Sequence, residues 1–260
     1  MELSTPTIST NLRKNNPDSH MNFKHSKTTI FLSTFIAYLC SAVTINIVSI
    51  SPATAACDEH PGPSIDWAGC RKRNVVLNGV EFTGSKFSET DLLGSDLRDT
   101  KFNNTDFTRA LMSRVNMSSS SAVGADFSKV EANRAVFQNS DLRATIFEKA
   151  VMFRGDFSKS NLTNANLHKS EFSRSNFSGS DLTGAKLTFS NLARTDFRGA
   201  KLNDVDINTS WTYLTRFEGT DLSLMQNLTQ SQLDLSCGDE NTKLPQGLVS
   251  PSTWPCAVTD

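Results

Sequence analysis

Histidine and cysteine are scarce in this chain: four and five among 260 residues, beside two tyrosines and three tryptophans. Nucleophiles, proton shuttles and metal ligands draw heavily on these types, and several of the few fall in an N-terminal segment that reads as a leader. A phosphate-cradling glycine-rich loop, a metal motif and a nucleophile elbow are all missing. An excess of one charge is missing too, since 26 Lys and Arg face 27 Asp and Glu for a net of −1. That balance argues against bulk nucleic-acid binding and against an acidic, DNA-like surface. Hydrophobic residues, at 37%, are few for one globular core and too many for a disordered chain.

Long apolar runs are limited to one, TIFLSTFIAYLCSAVTINIVSI at residues 29–50, preceded by Lys24, His25 and Lys27 and followed by SPATAAC. A basic segment, an apolar stretch and the small side chains of Ala53, Ala55 and Ala56 spell a secretory signal peptide over residues 1–56, cut after Ala56 or one residue earlier. The polar stretch before Met21 is long for a leader, and MNFKHSK makes an ordinary start, so Met21 is a candidate true start. The run is also long enough to span a bilayer as an uncleaved anchor. Thr54, three residues before Cys57, departs from a lipobox. The favoured reading is a periplasmic or secreted chain with no integral span after processing.

Removing residues 1–56 takes away four basic and two acidic residues and leaves 22 against 25, a net of −3. Four cysteines remain: Cys57, Cys70, Cys237 and Cys256. An even count in an exported chain points to disulfides, and the two pairs at opposite ends favour Cys57–Cys70 and Cys237–Cys256. Each would close a loop of 12 to 18 intervening residues, worth roughly 3 kcal/mol by chain entropy. Zinc is the alternative, disfavoured because neither pair has CxxC spacing and only His60 and His168 remain.

Between these ends lies a repeat of five. Counting from Leu77 to Leu222, 27 of 30 central positions are Phe, Leu, Met or Ile, the exceptions being Ala122, Ala132 and Thr212. The residue two before each centre is always Ala, Ser, Thr, Val or Gly, and Asp or Asn holds half of the positions just before it. Five is neither the helical nor the strand period. In a short extended stretch, residues two apart face the same way, so the small residue and the centre point inward and the one between faces water. The other two turn the chain. No single unit buries its Phe or Leu, so coils must stack.

Quintets such as SDLTG (180–184), ADFSK (125–129) and TDFRG (195–199) resemble the pentapeptide-repeat family over residues 75–224. The resemblance implies an all-β fold, a right-handed quadrilateral parallel β-helix with four units per coil, here about 7.5 coils with small capping segments at both ends. The sequence supports four units per coil independently. Phe137, Phe157, Phe177, Phe197 and Phe217 recur every 20 residues, with Leu142, Leu162, Leu182, Leu202 and Leu222 one unit later. A thinner core or a bulge is expected at SRVNMSSSSAVGAD (113–126) and Ala132. Open ends would expose unpaired backbone, so residues 57–74, with Trp67, are assigned to an N-terminal cap and 225–260 to a C-terminal one. The latter opens on TQSQ from Thr229, a capping box predicting a short helix over 230–236, followed by a disulfide-closed tail.

Position within twenty residues also predicts what aligns outside. Arg114, Arg134, Arg154, Arg174 and Arg194 form one column; Arg109, Lys129, Lys149 and Lys169 lie one unit earlier. Guanidinium groups suit phosphate, sulfate or carboxylate. Between the two corners lie Leu93, Leu111, Val151, Phe153, Trp211 and Tyr213 at outward positions, a mixture typical of partner surfaces. The arginines can instead bond corner carbonyls or pair with Glu131, Glu148, Glu171 and Asp156, and Trp211 and Tyr213 can turn inward where Thr212 breaks the core. Both alternatives stand open at this stage.

No residue nominates itself for catalysis, and no cofactor, metal or nucleic-acid partner is expected. The function read from the sequence is a non-catalytic exported interaction or scaffold module, binding a protein partner, a second copy of itself or an anionic envelope component along one face. The family resemblance also implies an alternative, a DNA-mimicking protector of a type II topoisomerase, which the leader and the basic columns disfavour.

Overall fold

A computed structural model describes residues 56–256. The signal peptide, the start at Met21 and the apolar run at 29–50 lie outside the described residues.

One quintet, Ser160–Asn164, shows why five residues repeat. Ser160 N–H closes a tight turn on the Phe157 carbonyl at 3.2 Å, and Asn161 N–H bonds the Ser140 carbonyl of the coil below at 2.9 Å. Leu162 and Asn164 donate upward to Asp181 and Thr183 at 2.7 and 2.9 Å. The remaining N–H, on Thr163, is taken by the side chain of Asn161 at 3.0 Å. Every backbone donor of the unit is thereby satisfied. The same side-chain bond recurs from Asp66, Asp106, Asp126, Asp156, Asn176 and Asp206, which gives the abundant Asp and Asn a backbone role. The small inner position has a reason as well. When it is Ser or Thr, its hydroxyl donates to a centre carbonyl, mostly one coil down, as Thr105 does to Phe82 and Thr195 to Phe172, and three residues back for Thr145 and Ser180.

Repetition of this unit gives a right-handed quadrilateral parallel β-helix. Parallel bridges join residues twenty apart, from Asp66↔Lys86 to Asp206↔Gln226. Phe137, Phe157, Phe177, Phe197 and Phe217 stack at 4.7–5.7 Å between ring centroids. A second aromatic column, Phe87, Phe107, Phe127 and Phe147, rises on another wall at 4.8–5.1 Å. The two columns meet edge to face, as Phe137 and Phe147 do at 86°, a favoured aromatic geometry. The bulge expected around Ala122 and Ala132 does not form. Ser121 and Glu131 keep their pairing with the coils above and below, and Phe127, between the two alanines, stacks on Phe107 and Phe147 at 4.8 Å each.

At the N-terminal end the coil register already includes Asp66 and Arg71, so residues 65–74 follow the repeat within the segment assigned to the cap. Trp67 occupies a centre there, buried against Phe82 and Phe87 at 5.6 Å. Lys72 lies 3.9 Å over its ring and donates to the Cys57 carbonyl, and Cys57 is bonded to Cys70. At the other end α1, Gln230–Asp234, is opened by the Thr229 capping box. The buried Gln232 amide donates to the Ile207 and Ser210 carbonyls at 3.0 Å, and Thr212 Oγ1 donates to the Gln232 carbonyl at 2.8 Å. Thr212, the polar exception among the centres, thus serves the lid above it. Pairing resumes with Cys237 over Arg216 and Lys243 over Asp221. Cys237 is bonded to Cys256, and the Trp254 ring lies so close over Gly238 that a Cβ there would stand 2.2 Å from it. No helix among the described residues is long and apolar enough to cross a membrane.

Candidate functional site

The second turn residue of each quintet is a corner, and the turn requires a left-handed φ there. Arg114, Arg134, Arg154, Arg174 and Arg194 occupy such corners at φ between 58° and 60°. Arg109, Lys129, Lys149 and Lys169 hold the neighbouring corner at 58–61°. Glycine and asparagine tolerate this conformation best, yet one wall of the helix is edged on both sides by long cations. Successive coils present Arg109 with Arg114, Lys129 with Arg134, Lys149 with Arg154, and Lys169 with Arg174. All nine, with Arg194, are exposed.

Few of these charges are neutralised. Arg109 reaches Glu89 at 3.1 Å and Lys149 reaches Glu148 at 3.1 Å. Among the described residues the five column arginines, Lys129 and Lys169 make no ion pair within 4.0 Å. The carboxylates that could have met them are mostly engaged. Glu171 accepts from Ser173 N–H at 2.9 Å and from the Asn191 amide at 2.8 Å. Asp156 accepts from Ser158 N–H at 3.0 Å and Asn176 at 3.2 Å. The Lys149 ammonium, by hydrogen bond and then by charge, holds Glu148 below the usual carboxylate range. Glu131 stands exposed in the middle of the wall.

The apolar residues of the wall divide into two groups. Leu111 and Val151 are partly exposed, Leu93 is half-buried, and the half-buried Phe153 ring lies 5.1 Å from the Arg154 guanidinium. At the C-terminal end Trp211 and Tyr213 stay outward, 53% and 43% exposed, while Thr212 between them is buried. Their ring planes lie 21° from parallel, with centroids 6.4 Å apart. The inward alternative is thereby set aside, because the cap carbonyl occupies Thr212. Sequence reasoning missed Phe189, 52% exposed, which continues the Arg109–Lys169 column and has Lys169 Nζ 5.8 Å from its ring. The twenty-residue count would have found it. Among the described residues no three His, Cys, Asp or Glu side chains gather to hold a metal ion.

The sequence matches the family described as pentapeptide repeats, in eight copies, at residues 76–114, 110–148, 154–184 and 180–209. No curated protein matches the chain. Among solved structures it is similar to a trypsin-treated form of QnrB1, a plasmid-mediated fluoroquinolone resistance protein, at 17% identity over 72% of this chain and 92% of that one, with a TM-score of 0.48. It is similar to HetL, a protein involved in heterocyst differentiation regulation from the cyanobacterium Nostoc, at 18% identity over 72% and 86%, with a TM-score of 0.34. A third, from the Arabidopsis thaliana thylakoid lumen, shares 25% identity over 45% and 76%, with a TM-score of 0.23.

Proposed function

The chain belongs to the pentapeptide repeat family, a scaffold whose interior is filled by its own side chains, and we propose that it is a non-catalytic, exported binding module whose arginine–lysine wall holds an anionic polymer or envelope component. The observation that carries this reading is the column of five arginines that make no ion pair among the described residues. Aromatic rings of successive coils stand 4.7–5.7 Å apart, and unit charges at that spacing repel by about 1 kcal/mol in water. An extended anion relieves the repulsion and offers each guanidinium a bidentate partner.

Other features favour the same reading. Nine cations on this wall outnumber the five carboxylates named beside them, Glu89, Glu131, Glu148, Asp156 and Glu171, the opposite of what DNA mimicry requires. Two disulfides, Cys57–Cys70 and Cys237–Cys256, fit an oxidising compartment outside the cytoplasm. Cores stacked ring on ring leave the outer faces to do the binding.

The test is retention on immobilised heparin as salt is raised. The purified protein should bind, elute earlier as screening increases, and lose at least tenfold in affinity when Arg134, Arg154 and Arg174 are replaced by Ala. Unchanged retention of that variant, or no binding by the parent, would remove the reading. Cell fractionation with intact-mass measurement checks the export half through the predicted cut near Ala56.

A further inference from the structure

The basic columns account for charge but not for the aromatic end of the same wall. Trp211 and Tyr213 flank one buried centre, both outward, with ring planes 21° from parallel at 6.4 Å between centroids and 53% and 43% exposed. Neither the Trp211 indole N–H nor the Tyr213 hydroxyl forms a hydrogen bond among the described residues, whereas the Trp254 indole is bonded to the Ser236 carbonyl. Phe189 lies at the corner one coil below. On the other side Arg194 holds the corner of the coil below, its backbone N–H bonded to the Tyr213 carbonyl at 2.8 Å. An exposed aromatic pair, with no hydrogen bond on its polar tips among the described residues, therefore closes one end of a track of cations.

We propose that the anion bound on this wall is an acidic polysaccharide, with a sugar ring lying on the Trp211–Tyr213 platform and its carboxylate, sulfate or phosphate groups running down the Arg194–Arg114 column. This inference rests on the anion-binding reading above and adds the chemical class of the ligand. A pyranose has a C–H face and a polar rim. The C–H face is drawn to the negative face of an aromatic ring and covers apolar area that water now wets. The rim meets the free indole N–H and phenol, and the acidic groups meet the guanidinium forks. A bare polyphosphate would leave the rings idle, and a compact anion would leave most of the column idle. The linear column calls for a linear ligand, and the platform calls for a ring with an apolar face. Single-stranded nucleic acid also stacks on aromatics, but under the export reading polysaccharide is the polyanion such a module meets.

The experiment compares three probes, polygalacturonate, polyphosphate and single-stranded oligonucleotide, titrated against the purified protein and a Trp211→Ala/Tyr213→Ala variant. Both side chains point outward, so thermal unfolding of the variant should match the parent. The inference expects polygalacturonate affinity to fall about tenfold or more in the variant, with polyphosphate binding within twofold. It also expects polygalacturonate, and not polyphosphate, to change the intrinsic fluorescence of the parent, a signal lost in Trp211→Phe. An equal response of all probes to the double substitution, or a tightest hold on the oligonucleotide, overturns the inference and leaves the anion-binding wall standing. If the parent binds none of the three, the wall reading falls and this inference with it.

Discussion

Two sets of arginines in this molecule differ only in where they stand within the quintet. Arg98, Arg143 and Arg198 directly follow a centre, and each turns back as a fork onto the aspartate two residues earlier. Arg143 Nε and Nη2 lie 2.8 and 2.7 Å from the two oxygens of Asp141, and Arg98 repeats the pattern on Asp96. Arg198 grips Asp196 at 2.6 Å. One residue further along, at the corner, Arg114, Arg134, Arg154, Arg174 and Arg194 have no such partner among the described residues. The fork neutralises the first set and leaves the second to solvent. Position in the repeat, and not residue type, separates an arginine that serves the fold from one available to a ligand.

Breaking the comparison at its strongest point means exchanging the two sets. Replacing Arg134, Arg154 and Arg174 by Ala should cost tenfold or more in heparin affinity with little change in melting temperature. Replacing Arg98, Arg143 and Arg198 should leave affinity within about twofold and lower the melting temperature slightly, as exposed ion pairs contribute little. Equal losses from both sets would show that net charge alone governs binding.

A corner without charge sharpens the contrast. Gly184 lies at φ 71°, and an added Cβ would stand 2.4 Å from the Asn164 Oδ1 of the coil below. Gly184→Ala should destabilise by roughly 1–2 kcal/mol from the left-handed backbone alone, read from the urea midpoint, without touching heparin binding. The reverse change on the charged edge is Arg154→Gly. Relief of the left-handed strain there outweighs the entropy glycine loses on folding, so stability should hold or rise by up to about 1 kcal/mol while affinity falls.

The smallest effect concerns acid. Ser223, through its hydroxyl and backbone N–H, and then Lys243 hold Asp221 down to about 2 from an ordinary 3.8. The Arg143 fork lowers Asp141 in the same direction. Asp196 is also lowered, its partial burial pushing it up while the Arg198 bonds outweigh that push. A carboxyl whose folded value is depressed contributes its stability above the unfolded value, and the contribution fades as pH falls from about 4 toward 2. Urea midpoints should therefore decline over that interval, and Asp221→Asn should flatten part of the decline. The five column arginines, which make no ion pair among the described residues, add nothing to it.

Much of this was legible because a five-residue period admits few ways to satisfy five backbone donors. Phe157 and Phe177 share a wall, 4.7 Å apart, as the twenty-residue count requires. Less legible was the reason for Asp and Asn before half of the centres: their period is plain in the sequence, but the side-chain bond to the following turn N–H is not. The start of the coils was hidden because Trp67 and Cys70 stand in coil register while also serving the cap. The fate of the arginines was written in short range, as Asp-Leu-Arg at 96–98 and 141–143 and Asp-Phe-Arg at 196–198, but needed the fork geometry to be read.

The central claim is that vertical alignment, and not charge content, makes the wall bind. Inserting two neutral quintets, SNLTNSNLTN, between Asn139 and Ser140 should turn Lys149, Arg154, Lys169, Arg174 and Arg194 to the opposite side from Arg109, Arg114, Lys129 and Arg134. Four such quintets should restore the alignment with the same cations. The ten-residue insertion should lower heparin affinity about tenfold, and the twenty-residue insertion should leave it near the parent value. Equal affinity for the two folded insertions would contradict that claim.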